Sequence, residues 1–194
     1  MKTIKLKLTG IRPLLMHNGA LADRLNPHTA AIKKITAKKL NKTEEDFAEL
    51  ERLEWLGGLY WSDALNAIAL PCDNIEAVLK EGARKVKLGK KFEAAVFIEE
   101  TEVALDHRKR GKSKDEIHKD PAYTSRVGIV VNNGRVMRIR PMIPTGWSLT
   151  FTVEYDASVV DAEQIVTAAK EAGALVGIGD WRPKFGRFTV EEVA

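Results

Sequence analysis

The chain has 194 residues, of which 44% are hydrophobic and 30% charged. That balance suits one soluble domain with insertions and excludes a disordered, fibrous or disulfide-stapled chain, since Cys72 is the only cysteine. The formal net charge of +4 says little alone, but no apolar run approaches the roughly 18 residues of a membrane span, and Met1 to Gly10 lacks signal-peptide order, so a cytoplasmic protein with no membrane partner is expected.

Lys2 to Leu8 alternates Lys and Thr with Ile and Leu, the period of a strand with one face inward, and ends at Gly10-Ile11-Arg12-Pro13. Leu14 to Ala20 reads as an extended or looping stretch. Asn26 and Pro27 predict the cap and first position of a helix running to Leu40. Thr43 and Asp46 stand in capping-box positions for a second helix that ends at Gly57-Gly58, with Phe47, Leu50, Leu53 or Glu54, and Leu56 as its apolar side. Strand-like runs around Trp61 and at Ala67 to Leu70 flank a hairpin composition, and Ile75 to Val86 has helical spacing.

Ala94 to Ile98 is the next strand. Asp106 to Pro121, Lys-rich and without apolar periodicity, predicts a mobile loop or hairpin tip. Strands follow at Tyr123 to Val131, Arg135 to Pro141 and Trp147 to Tyr155, the first two joined by Asn132-Asn133-Gly134, a hairpin signal. Asp161 to Gly173 reads as a helix stopped by Gly173, and Arg187 to Val193 as the last strand. Without its insertions the order is strand, helix, strand, strand, helix, strand: an α+β, ferredoxin-like (RRM-like) βαββαβ core in a single domain spanning 1–194, with a helical insertion at about 16–58 and a basic loop or hairpin insertion at about 106–123.

Charge is segregated along the chain. Met1 to Leu40 carries nine Lys or Arg against the single acid Asp23, Glu44 to Glu54 is acidic, and Arg108 to Arg140 is basic again. Such segregation suits a protein with one face toward a polyanion. Lys33, Lys34, Lys38 and Lys39 form a cationic ridge on the first helix, where positions 34 and 38 stack at i, i+4. Arg108, Lys109, Arg110 and Lys112 mark the second basic stretch, and Arg135, Arg138 and Arg140 a third, in which the last two share one strand face about 7 Å apart.

The densest constellation is Gly177-Ile178-Gly179-Asp180-Trp181-Arg182-Pro183-Lys184-Phe185-Gly186-Arg187-Phe188. Gly177, Gly179 and Gly186 permit positive φ and close backbone approach. Trp181 and Phe185 offer faces for base stacking, while Arg182, Lys184 and Arg187 supply charge for phosphates. That mixture predicts single-stranded nucleic acid as the partner. His17, His28, His107 and His118 have no metal-ligand spacing, and Gly177-Ile178-Gly179 lacks the strand-to-helix setting of a nucleotide fingerprint, so no cofactor, metal or catalytic site is expected.

Gly177 to Phe188 resembles the C-terminal glycine-rich loop of the RAMP superfamily, the ferredoxin-like backbone and processing subunits of CRISPR effector complexes. Leu8 to Pro13 resembles the end of a first RAMP strand, and Ile68 to Leu79 the strand, proline and helix of backbone subunits; 16–58 and 106–123 have no counterpart. The resemblance implies a grip on single-stranded RNA through sheet, loop and protruding hairpin, with subunits repeated along the strand. A stand-alone member, of the kind a phage or another mobile element encodes, has single-stranded DNA as its alternative target. It also implies two other readings: a metal-independent RNA-processing endonuclease, with His17 as acid or base and Asp23, Asp115 or Asp120 as possible assistants, or a non-binding assembly or inhibitor subunit.

Overall fold

A computed structural model describes residues 1–38, 40–131 and 134–193, and leaves the side chains of Ile129, Val131 and Arg135 outside the described set. In chain order the elements are β1 (Lys2–Gly10), β2 (Leu14–Leu15), a 3-10 turn (Gly19–Ala22), α1 (Pro27–Thr36), α2 (Glu44–Gly58), β3 (Trp61–Ser62), β4 (Ala67–Pro71), α3 (Cys72–Lys85), α4 (Gly89–Ala95), β5 (Val96–Ile98) and β6 (Glu102–Ala104). Then come α5 (Lys114–His118), a 3-10 turn (Pro121–Tyr123), β7 (Thr124–Val131), β8 (Gly134–Ile143), β9 (Ser148–Tyr155), α6 (Ala162–Glu171), a π-helical turn (Ala172–Val176) and β10 (Phe188–Val193). They gather into two compact units: 1–14, 61–111 and 144–194 in one, 15–60 and 112–143 in the other.

The first unit is built on an antiparallel sheet in the order β10-β1-β9-β5. Numbering its strands along the chain gives 4-1-3-2, with α3 and α6 as the two crossover helices, which is the ferredoxin-like arrangement. Alternation decides the inner face. Ile4, Leu6 and Leu8 of β1, Leu149, Phe151, Val153 and Tyr155 of β9, and Phe188 and Val190 of β10 are buried. So are Ile75, Val78 and Leu79 of α3 and Ile165, Ala168 and Ala169 of α6, and each fully buried large side chain contributes about 1.5–3 kcal/mol over exposure. The helices approach closely because Gly82 has no side chain: a Cβ there would stand 2.3 Å from the Ala168 carbonyl oxygen.

A small sheet, β3-β4-β6, carries the hairpin expected around Asp63 to Asn66, with Trp61 opposite Ile68 and Ser62 opposite Ala67. α4 was not visible in the sequence, where Ala94 and Ala95 read as strand; Phe92 and Ala95 are its buried residues. Gly173 does not stop α6. The backbone continues as the π-helical turn and leaves it at Gly177, while a Cβ on Gly173 would meet the Phe188 carbonyl at 2.2 Å, so this glycine serves close packing rather than termination.

In the second unit Asn26 caps α1 by accepting from the His28 and Thr29 amides, and the Thr43/Asp46 capping box opens α2 as expected. α1 ends at Thr36, short of the expected Leu40. The buried side of α2 is Leu53 and Trp55, and Phe47 is 54% exposed, because the helix is covered only over its C-terminal half. Trp55 donates its indole N–H to the Tyr123 carbonyl at 2.9 Å and meets the His118 ring edge-on at 5.1 Å. The stretch expected to be a structureless tip instead contains α5: Ser113 and Glu116 form a second capping box, and Ile117 is buried. A single anchor residue leaves no periodicity to read. β7 and β8 pair from Thr124 opposite Pro141 to Val131 opposite Gly134, and β2 lies on the other side of β8. Asn132 and Asn133, which signalled the hairpin, lie outside the described residues.

Candidate nucleic-acid interface

In the first unit the glycine-rich loop is held by backbone bonds at both ends. The Ile178 amide donates to Gly186 and the Gly186 amide to Pro13, each at 2.8 Å, and the Ile11 and Arg12 amides both donate to the Arg187 carbonyl, at 2.9 and 3.2 Å. Gly177, Gly179 and Gly186 all have positive φ, at 77°, 87° and 71°. A Cβ on Gly186 would stand 1.7 Å from the Ile178 carbonyl oxygen, so the closed loop requires glycine there.

Between these ends the chain turns outward. Trp181, at φ 58°, is 40% exposed and stacks on half-buried Phe185 with ring centroids 5.9 Å apart and planes 28° from parallel. The Lys184 ammonium lies 5.2 Å from the Trp181 ring centre and 5.8 Å from that of Phe185. Phe188, by contrast, is buried against Trp147. Arg182 reaches Glu81 at 3.7 Å, and Arg187 turns back to donate to the Ala174 carbonyl, so Lys184 is the loop cation most closely joined to the exposed aromatics. An open groove of about 500 Å³ runs beside the loop, lined by Glu81, Lys85, Leu175 and the segment from Gly179 to Pro183.

The outward face of the ferredoxin-like sheet has Lys5, Lys7 and Thr9 on β1 beside Thr150 and Thr152 on β9 and Thr189 on β10, with Phe97 on β5 as its exposed aromatic. Lys7 lines an open cleft of about 340 Å³ with Asp106, Arg110, Ser148 and Thr150. Sequence reasoning missed Lys7 as a site residue. Its outward position was readable from the alternation, but its neighbours come from strands far away in the chain. Arg110 pairs with Asp106 at 3.5 Å, and Arg108 and Lys109 lie beside it in the same loop.

The other predicted cations belong to the second unit, where acids take several of them. The ridge on α1 is not free of acidic partners as expected: Lys38 lies past the helix end and pairs with Asp46 at 2.5 Å, a bond that holds the Asp46 carboxyl below its usual range. Lys33 and Lys34 remain in the last turn of α1, where positive charge is favoured by the helix dipole. Lys39 lies outside the described residues, as does the side chain of Arg135. Lys112 pairs with Glu116 at 3.4 Å, and Arg126 with Glu51. Arg138 and Arg140 are half-buried on alternate positions of β8, either side of buried Ile139. Farther along the hairpin Val130, Val136 and Met137 are exposed.

His17 is exposed, and it lines a cleft of about 310 Å³ with Asn18, Thr29, Glu54 and Arg138. Glu54, Asn18 and Thr29 had no sequence signal, because helix and loop positions so distant in the chain meet only after folding. The three aspartates raised as assistants have local roles: Asp23 accepts from the Leu25 amide, Asp120 caps the turn at Ala122, and Asp115 pairs with Arg52 at 3.0 Å. Among the described residues no cluster of three or more His, Cys, Asp or Glu could hold a metal ion, and no helix is long and apolar enough to cross a membrane.

No family model and no curated protein matches the sequence. Solved structures do match. A chain of the cryo-EM structure of the type III-B Cmr-beta bound to cognate target RNA aligns over 99% of this chain with a TM-score of 0.58 at 12% identity. The likeness is one of fold. The present chain spans 58% of that neighbour's length, and at this identity what the two share is the α+β architecture.

Proposed function

We propose that this protein binds single-stranded nucleic acid, RNA in the first place, with little sequence preference, and that copies assemble side by side along the strand. The observation that carries the reading is exposed Trp181 stacked on half-buried Phe185 with Lys184 over both rings, mounted on a loop closed by three positive-φ glycines. Exposed stacked aromatics with an adjacent cation give every base a π-face and its phosphate a counter-charge, which favours splayed single strands over a closed duplex. The shared α+β architecture adds support, since that neighbour is bound to target RNA. In the same unit Lys5 and Lys7 on the outward face of the sheet are the further cations; the second unit by itself offers Arg138, with Val136 and Met137 exposed on its hairpin. Binding rather than catalysis is the expected activity.

The test is titration of labelled single-stranded RNA, single-stranded DNA and duplex at several salt concentrations. Single strands should bind more tightly, with log K falling against log salt by about 0.7 per phosphate neutralised. Equal or tighter duplex binding sinks the single-strand reading. A failure of all three ligands to bind favours an assembly or inhibitor subunit.

The cleft that joins His17 to Glu54 and Arg138 favours one second reading, cleavage of RNA with His17 as acid or base and Arg138 on the phosphate. Specific RNA cleavage without divalent metal, abolished in His17→Ala, would establish it.

A further inference from the structure

The cleft of about 310 Å³ in the second unit combines apolar Leu21, Ala22 and Ile32 with Thr29, Glu54 and Arg138. Two of these are charged groups held apart. One oxygen of Glu54 accepts from the Ile139 amide at 3.3 Å, and the other has no partner among the described residues. The Arg138 guanidinium, half-buried, has neither a hydrogen bond nor an ion pair among them. Opposite charges that line one cleft without joining call for an occupant that carries both a donor edge and an anionic group, because a half-buried charge is costly unless paired.

Simple occupants fail that requirement. A lone anion would meet the Glu54 carboxylate, a cation would meet Arg138, and an apolar ligand would desolvate both without pairing either. A nucleotide carries what is needed: an apolar base face to set against Leu21, Ala22 and Ile32, edge donors for the carboxylate and a phosphate for the guanidinium. The volume lies at the low end of the roughly 300–1,000 Å³ usual for ligand sites, enough for one nucleotide. The base can be narrowed further. Guanine, with N1–H beside its exocyclic amine, is the standard base that presents two adjacent donors on its pairing edge, one for the Glu54 oxygen that has no partner among the described residues and one for the second lone pair of the oxygen that accepts from Ile139.

We propose that this cleft is a pocket for a single guanine nucleotide, with Glu54 reading the base edge and Arg138 holding the phosphate. Extrusion of that guanine from a bound strand rests on the single-strand reading above; binding of the free nucleotide does not.

The experiment is calorimetric titration of the full chain with GMP, AMP, CMP, UMP and guanosine, repeated on Glu54→Gln and Arg138→Ala. GMP should bind about tenfold or more tightly than the other nucleotides. Glu54→Gln keeps an oxygen for the Ile139 amide but replaces the second acceptor, and should erase the preference. Arg138→Ala should bring GMP down to the affinity of guanosine. Equal affinity for the four nucleotides, or a preference that survives Glu54→Gln, overturns the proposal. Should either variant fail to fold, Ala22→Trp fills the cleft from an exposed position: loss of GMP binding supports the pocket, and unchanged binding overturns it. A uridine-only strand titrated in parallel separates the two readings. If that strand binds and GMP does not, the pocket is wrong and the single-strand reading stands; GMP binding with no affinity for any strand gives the reverse.

Discussion

Trp147 donates its indole N–H to the Arg12 carbonyl oxygen at 2.9 Å, and its ring occupies the space that a side chain on Gly10 would need, 2.1 Å from an added Cβ. This pair turns the chain out of β1 into the segment whose Ile11 and Arg12 amides bond the Arg187 carbonyl at the end of the glycine-rich loop. Trp147→Phe, which removes the N–H and leaves the carbonyl to find water, should cost about 1–3 kcal/mol in urea denaturation. Gly10→Ala should cost more, since the fully buried ring would have to move. A Gly10→Ala protein of wild-type stability contradicts the packing described.

Trp181→Ala removes an exposed ring and should leave the melting temperature within about a degree or two. It should nevertheless weaken single-strand binding by about 1–3 kcal/mol, about 5- to 150-fold in affinity, if one base stacks there. Fluorescence anisotropy with a short oligonucleotide measures this directly. Gly186→Ala should fail differently, losing stability as well as binding, because φ of 71° and the contact with the Ile178 carbonyl both exclude a side chain.

Stability should fall as pH drops below about 6.5, the value of an unperturbed histidine. His28, His107 and His118 are all held below that value, first by burial and then by nearby cations, Lys114 and Arg52 for His28, Arg110 for His107, and Arg52 for His118. Neighbouring acids oppose part of the shift at His107 and His118. The unfolded chain therefore binds more protons than the folded one between the lowered value and 6.5, so stability is full above 6.5 and is lost as pH falls through that window. Asp46, Glu93, Glu116 and Asp156, lowered by hydrogen bonds, add to the loss only at more acidic pH, below about 4 to 4.5. Denaturation midpoints that stay level from pH 7 to pH 5 would contradict this, and His118→Gln should flatten part of the slope.

The acids of α2 divide into two groups, and only one is available to a neighbouring copy. Glu51 pairs with Arg126, Glu49 with Arg52, and Glu54 accepts from Ile139, whereas Glu44 and Glu45 have no partner among the described residues. If copies associate along a strand through this helix, Glu44→Lys with Glu45→Lys should reduce the steepness of binding to long strands and leave affinity for a one-subunit oligonucleotide unchanged or tighter. Glu51→Lys should instead act within the molecule, costing at most about 1 kcal/mol as an exposed pair. Equal per-site affinity on long and short strands removes the filament idea.

Local chemistry made much of this protein legible from its sequence. The period-two pattern of β1, the Asn26 cap, the Thr43/Asp46 capping box and the two crossover helices all depend on residues within a few positions of one another, and β1 with the crossover helices points to the ferredoxin-like order before any packing is known. Neighbours in space set the rest. Three of the four tryptophans show the difference: Trp55 and Trp147 are fully buried and hydrogen-bonded to distant carbonyls, while Trp181 faces solvent, though nothing in composition separates them. Which cations remain for a polyanion was decided the same way, since Lys38 is taken by Asp46 eight residues on and Arg126 by Glu51 seventy-five residues back. The cleft around Arg138 likewise exists only because β8 brings it to α1 and α2, as charge pairing and cavity shape depend on distance through space, which the order of residues along a chain does not record.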